Sequence, residues 1–127
     1  MTVVDTSAIM AVLLREQDAD ACSKALDAKV ELLISAGTLT EVFIVAGGRR
    51  IAHRAGDLID KLGINVVSVT EATARQIGEA HARWGKGFHP AGLNFGDCFA
   101  YVLAKERGCP LLYVGGDFAK TDVASAL

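Results

Sequence analysis

The chain predicts an α/β domain, with three layers and a short, mostly parallel sheet, and three observations carry that prediction. Short apolar or β-branched runs alternate with longer segments of helical spacing. Glycines punctuate the ends of the helical segments, at Gly47-Gly48, Gly63 and Gly108. Hydrophobic residues make up 51% of 127 residues and charged residues 22%, enough for one compact core over positions 1–127.

The elements follow in order. Thr2-Val3-Val4 is a β-branched strand ending at Asp5, and residues 8–14 continue as a helix capped by Asp5 or Thr6. Residues 18–28 form a second helix, with Ala21, Cys22, Ala25 and Leu26 at helical spacing. A strand over 31–34 leads to a helix over 38–46 that stops at the paired glycines. Residues 51–62 make another helix, residues 65–69 a strand, and residues 70–84 a helix with Thr70 as its cap. The glycine-rich stretch 85–92 is a loop. A helix begins at Asn94 and runs to about Arg107, and the last strand spans 110–114 before Gly115-Gly116.

In a parallel α/β sheet, ligands bind beyond the carboxyl ends of the strands. Asp5 closes the first strand and Asp117 lies just past the last, so topology puts both on one rim. Glu41 and Asp97 each sit three residues after a cap residue, in Thr38-Leu39-Thr40-Glu41 and Asn94-Phe95-Gly96-Asp97. Taken singly, each reads as part of a capping box. Asp5 alone reads as a helix cap and Asp117 as a turn residue. Taken together, four acids at strand and helix ends converge on one cleft. A hard cation such as Mg²⁺ or Mn²⁺ relieves their repulsion through oxygen ligands and retained waters. Such a site suits phosphodiester hydrolysis, because the cation activates water and offsets charge on the phosphate.

Composition narrows the alternatives. No apolar run nears the roughly 18 residues that span a bilayer, and the N-terminus lacks a basic region ahead of an apolar one, so a cytoplasmic location is expected. Cys22, Cys98 and Cys109 are odd in number without C-x-x-C spacing, which favours reduced, buried thiols. A net charge of −2 argues mildly against a nucleic-acid binder, although acids gathered around metal lower the total.

The segments "VVDTSAIMAVLL", "TLTEVFIV", "RWGKGFHPAGLNFGDCFAYVLAK" and "LLYVGGDFAKTDV" together resemble the PIN-domain ribonucleases, specifically the VapC toxins of toxin–antitoxin pairs. The resemblance spans nearly the whole chain and implies an α/β/α fold with an acidic metal site. It maps the family's acids onto Asp5, Glu41 and Asp97, and a fourth onto Asp117. Relatives often carry an acidic or amide residue where this chain has Gly116, which leaves Asp122 in "KTDV" as a less favoured substitute. It also implies that Thr6 or Ser7 hydrogen-bonds near the metal. The expected assignment is Asp5, Asp97 and Asp117 to Mg²⁺, with Mn²⁺ as a possible substitute. Glu41 holds a second, weaker ion or orients water. The resemblance further implies an endoribonuclease cutting transfer or ribosomal RNA, a cognate VapB antitoxin as inhibitor, and a homodimer, with no membrane role.

RNA needs cationic contacts. Arg83, Lys86 and His89 surround the glycine loop before Asp97, and Arg49, Arg50 and Arg54 form a second cluster with His53 beside it. Trp84 and Phe88 are available for base stacking or for core packing. Rival readings are a non-catalytic module that keeps the fold, or a phosphotransfer domain with Asp5 as nucleophile. The latter wants an acid two residues on, where Ser7 stands. A dinucleotide-binding domain is disfavoured, since Gly85-Lys86-Gly87 lacks a third glycine and follows no strand.

Overall fold

Successive strand residues enter two separate cores, which divides the molecule into layers. In a computed structural model describing residues 1–127, strands β1 (Thr2–Val4), β2 (Leu32–Ser35), β3 (Asn65–Val67) and β4 (Leu111–Leu112) form one sheet in the order β3-β2-β1-β4. All three pairings are parallel, with Thr2 opposite Leu32, Val3 opposite Leu111 and Ser35 opposite Val67. Successive strand side chains point to opposite faces. Val3, Leu33 and Leu111 enter one core with Trp84, Leu93, Tyr101 and Leu103. Val4, Leu32, Ile34 and Leu112 enter the other, with Ile9, Leu26, Val42 and Ile59. Helices therefore cover both faces, as an all-parallel sheet requires.

One layer holds α1 (Thr6–Leu13), α2 (Ala19–Asp27), α3 (Ala36–Gly48) and α4 (Ala52–Leu62), and the other holds α5 (Glu71–Trp84) and α6 (Phe95–Arg107). Thr70 caps α5, Gly63 and Gly108 close α4 and α6 in the left-handed region, and Asn94 with Asp97 forms a capping box at α6. The chain passes from β1 to β2 on one side and reaches β4 on the other. The carboxyl ends of β1 and β4 thus flank the point where strand order reverses, where open α/β sheets place their sites.

Several boundaries differ from expectation. Helix α1 starts two residues early, because the Asp5 side chain caps it by accepting from the Ser7 N–H. Helix α3 starts at Ala36, capped by Ser35, and the paired glycines lie in its final turn. Thr38 and Glu41 are therefore inside the helix and do not form its capping box. Strand β4 is two residues long where five were expected. Its outer edge is covered by the tail, with the Leu111 N–H donating to the Ala124 carbonyl and the Ala126 N–H to the Leu111 carbonyl. No helix is long and apolar enough to cross a membrane.

Candidate active site

Asp5 is the deepest of the four acids, 3% exposed at the junction of β1 and α1. Its backbone N–H donates to the Leu112 carbonyl at 3.0 Å, which ties it to the end of β4. Its Oδ2 accepts from the Ser7 N–H at 3.0 Å and from the Ser7 hydroxyl at 2.6 Å. Its Oδ1 is buried without any partner. Burial pushes this carboxyl up to about 6, against the Ser7 hydrogen bonds, and the charges of Asp97 and Glu41 push it in the same direction as burial.

Glu41 reaches the same region from the second turn of α3. Its Oε1 accepts from the Thr6 hydroxyl at 2.5 Å. Its other oxygen lies against the first turn of α6, where a β-carbon on Gly96 would overlap it. Asp97, one residue further along α6, accepts from the Asn94 N–H at 3.0 Å. Burial raises its carboxyl above the usual range; the Asn94 bond opposes this, and the charges of Glu41 and Asp117 add to it. Asp117 is exposed and opens a short 3-10 turn without capping it. The structure thus brings Asp5, Glu41 and Asp97 within each other's electrostatic reach, and Asp117 within reach of Asp97.

The fit of this cluster to a cation rests on those features. The unpartnered Asp5 oxygen is a buried lone pair aimed where no protein donor meets it, and the carboxyls above their usual range lack a compensating positive charge. The donors are all oxygen, which suits a hard ion. No three acidic, histidine or cysteine side chains lie close enough to enclose an ion by themselves. An ion held here therefore needs water among its ligands, the state Mg²⁺ favours.

Thr6 and Ser7 play different parts. Thr6 orients Glu41, while the Ser7 hydroxyl donates to Asp5 and accepts from the Val114 N–H at 3.0 Å. Asp122 lies in another network. The Tyr101 hydroxyl donates to it at 2.6 Å, Lys105 approaches at 3.3 Å, and these partners hold its carboxyl below the usual range. Arg83 lies over the Trp84 ring at 4.5 Å and 3.9 Å from Asp122. The His89 ring packs edge-on against Trp84, and its Nδ1 accepts from the Ala91 N–H. Of Arg83, Lys86 and His89, Lys86 alone is exposed with its side chain free of a protein partner. Trp84 is buried in the core, whereas Phe88 is 67% exposed. In the second cluster, Arg54 donates to the Leu13 carbonyl and His53 faces Asp57 at 3.4 Å.

Two features escaped the sequence. One is Gly96, whose only trace is a glycine inside a helix, where glycine is disfavoured. The other is an apolar strip beside Glu41, with Ile44 70% and Phe95 75% exposed. It borders a groove of about 290 Å³ lined by Thr40, Glu41, Ile44, Val45, Phe95 and Phe99.

The arrangement matches known proteins along its whole length. The PIN domain family model matches residues 2–124. Ribonuclease VapC28 of Mycobacterium tuberculosis is 44% identical over 129 residues, covering 98% of this chain and 97% of the relative. The chain belongs to the VapC ribonuclease family of PIN domains. Ribonuclease VapC of Mycolicibacterium smegmatis is 39% identical, covering 97% of this chain and 98% of its own. Among solved structures, the M. tuberculosis toxin VapC20, described as cleaving the sarcin-ricin loop, superposes with a TM-score of 0.81. It is 19% identical and covers 98% of this chain and 97% of its own. A toxin–antitoxin complex from Klebsiella pneumoniae gives a TM-score of 0.72 at 18% identity, covering 100% and 98%. These two likenesses bear out the PIN-like three-layer fold, and the VapC relatives bear out the family.

Proposed function

We propose that this VapC-family chain is a Mg²⁺-dependent endoribonuclease toxin that hydrolyses phosphodiester bonds in RNA. The carrying observation is the buried Asp5 oxygen without a partner, on a carboxyl within electrostatic reach of Asp97 and Glu41. Asp5 and Asp97 are the residues to hold the ion, directly or through water, with Asp117 completing that shell. Mn²⁺ is the natural substitute. A bound Mg²⁺ supplies the positive charge that offsets negative charge growing on the phosphate.

The chain's own residues do the rest. Thr6 fixes Oε1 of Glu41, leaving Oε2 without a side-chain partner and able to orient a water for in-line attack. The new bond forms between that water oxygen and phosphorus, and the opposite phosphorus–oxygen ester bond breaks. The attacking water, held by its hydrogen bond to Glu41, releases its proton to solvent as the new bond forms, and the departing oxygen takes a proton from solvent. Within the cluster around the glycine loop, Lys86 is the cation left free for the RNA backbone, with Arg83 and His89 already engaged.

Family membership supports a structured transfer or ribosomal RNA as the proposed substrate and the cytoplasm as the proposed place of action. A VapB-type antitoxin is the inhibitor, in keeping with the toxin–antitoxin complex that shares this fold. Pairing with a second copy uses the apolar strip of Ile44, Val45 and Phe95.

The test is incubation of antitoxin-free protein with total RNA, with and without Mg²⁺, beside Asp97→Asn. Metal-dependent cutting that vanishes in the variant is expected. Cutting that survives EDTA, or equal cutting by Asp97→Asn, overturns the reading.

A further inference from the structure

Gly96 is buried in the first turn of α6, immediately before Asp97. A β-carbon there would lie within 2.7 Å of Glu41 Cδ and would overlap a carboxylate oxygen. The three heavy atoms nearest that β-carbon all belong to Glu41, so Glu41 is what a side chain at 96 would meet first. Through its other oxygen, the same carboxylate is held by the Thr6 hydroxyl. Glu41 is therefore gripped between a hydroxyl on α1 and bare backbone on α6. A glycine in the first turn of a helix is itself unfavourable relative to alanine, which makes its presence here a concession to the contact.

We infer that Gly96 is a positioning residue for Glu41: it admits the carboxylate to the seat beside Asp97 from which it acts. The inference rests on the ribonuclease reading for its effect on chemistry. The seat itself is independent of that reading. Any side chain at 96 displaces Glu41, because the carboxylate is the mobile end of a flexible chain and the α6 backbone is not. Displacement breaks the Thr6 bond and moves Oε2 away from the site, while the ligand oxygens of Asp5 and Asp97 keep their own hydrogen bonds.

The experiment is a double-mutant cycle of Gly96→Ala and Glu41→Ala, read by thermal unfolding and by RNA cleavage. Gly96→Ala is expected to lower Tm with Glu41 present and to raise it in the Glu41→Ala background, where only helix propensity remains. Equal Tm changes in both backgrounds overturn the inference. In cleavage, Gly96→Ala is expected to lower kcat at least tenfold with KM within about twofold, the loss of an orienting group and not of RNA binding. Glu41→Asp, one methylene shorter, is expected to make the Gly96→Ala substitution nearly silent. A further full drop in that background overturns the inference. If the unsubstituted protein cuts no RNA at all, the ribonuclease reading fails, and the Tm cycle still decides the role of Gly96.

Discussion

Ser7 holds Asp5 at 2.6 Å through a hydroxyl that also accepts the Val114 N–H, so one side chain joins the ends of β1 and β4 to the deepest acid. Ser7→Ala leaves the Val114 N–H without its partner and removes a bond that favours ionised Asp5. The expected loss is about 1–3 kcal/mol of stability, read by urea unfolding. Weaker Mn²⁺ binding at neutral pH is expected alongside, read by calorimetry.

Asp5 also sets a pH dependence. Its carboxyl is raised from 3.8 to about 6 in the fold, so the folded state binds its proton more tightly than the unfolded chain does. Its contribution is fully present below about pH 3.8 and is lost as pH rises through about 6. The shift is worth roughly 3 kcal/mol. Without divalent ions, Asp5→Asn is expected to be more stable than the parent at pH 7 and to show a flatter stability profile between pH 4 and 6. The same proton competes with metal, so Mn²⁺ affinity is expected to fall towards tenfold per pH unit below about 6.

Asp122 and Asp117 separate cleanly. Tyr101 accepts from the Trp84 indole at 2.8 Å and donates to Asp122, so Tyr101→Phe strands a nearly buried N–H. A loss of about 1–3 kcal/mol is expected, with cleavage per folded molecule unchanged. Asp122→Asn is expected to behave likewise. Asp117→Asn is expected to do the opposite, keeping stability and lowering cleavage and divalent affinity.

The apolar strip gives a third kind of outcome. Ile44→Glu places a charge in the middle of an exposed hydrophobic surface. Light scattering is expected to show the parent as a dimer and the variant as a monomer. A monomeric parent at micromolar concentration removes the strip from the proposed pairing.

Much of this was legible in the residues. Alternating elements gave the layers, and Asn94 with Gly108 bracketed α6 to within a residue. Asp97 proved to be both cap and cluster member, since its first-turn carboxylate accepts the Asn94 N–H and still lies within electrostatic reach of Glu41 and Asp117. The start of α3 was not legible. Ser35 and Thr38 are both good cap residues, and pairing of Ser35 with Val67 at the end of β2 decides between them. That choice turns Glu41 from a cap partner into a neighbour of Thr6. Nor does spacing along the chain disclose that Arg83 lies on Trp84 and beside Asp122, because the contact depends on where the tail returns to α6.

The pairing of Val3 with Leu111 has a consequence for biosynthesis. Strand β1 leaves the ribosome ahead of the other three, occupies the interior of the sheet and waits for a neighbour more than a hundred positions downstream. Contacts of such long separation form late. Until β4 arrives, Asp5 lacks the Leu112 carbonyl and the Ser7–Val114 tie, so the acidic cluster stays incomplete through most of translation.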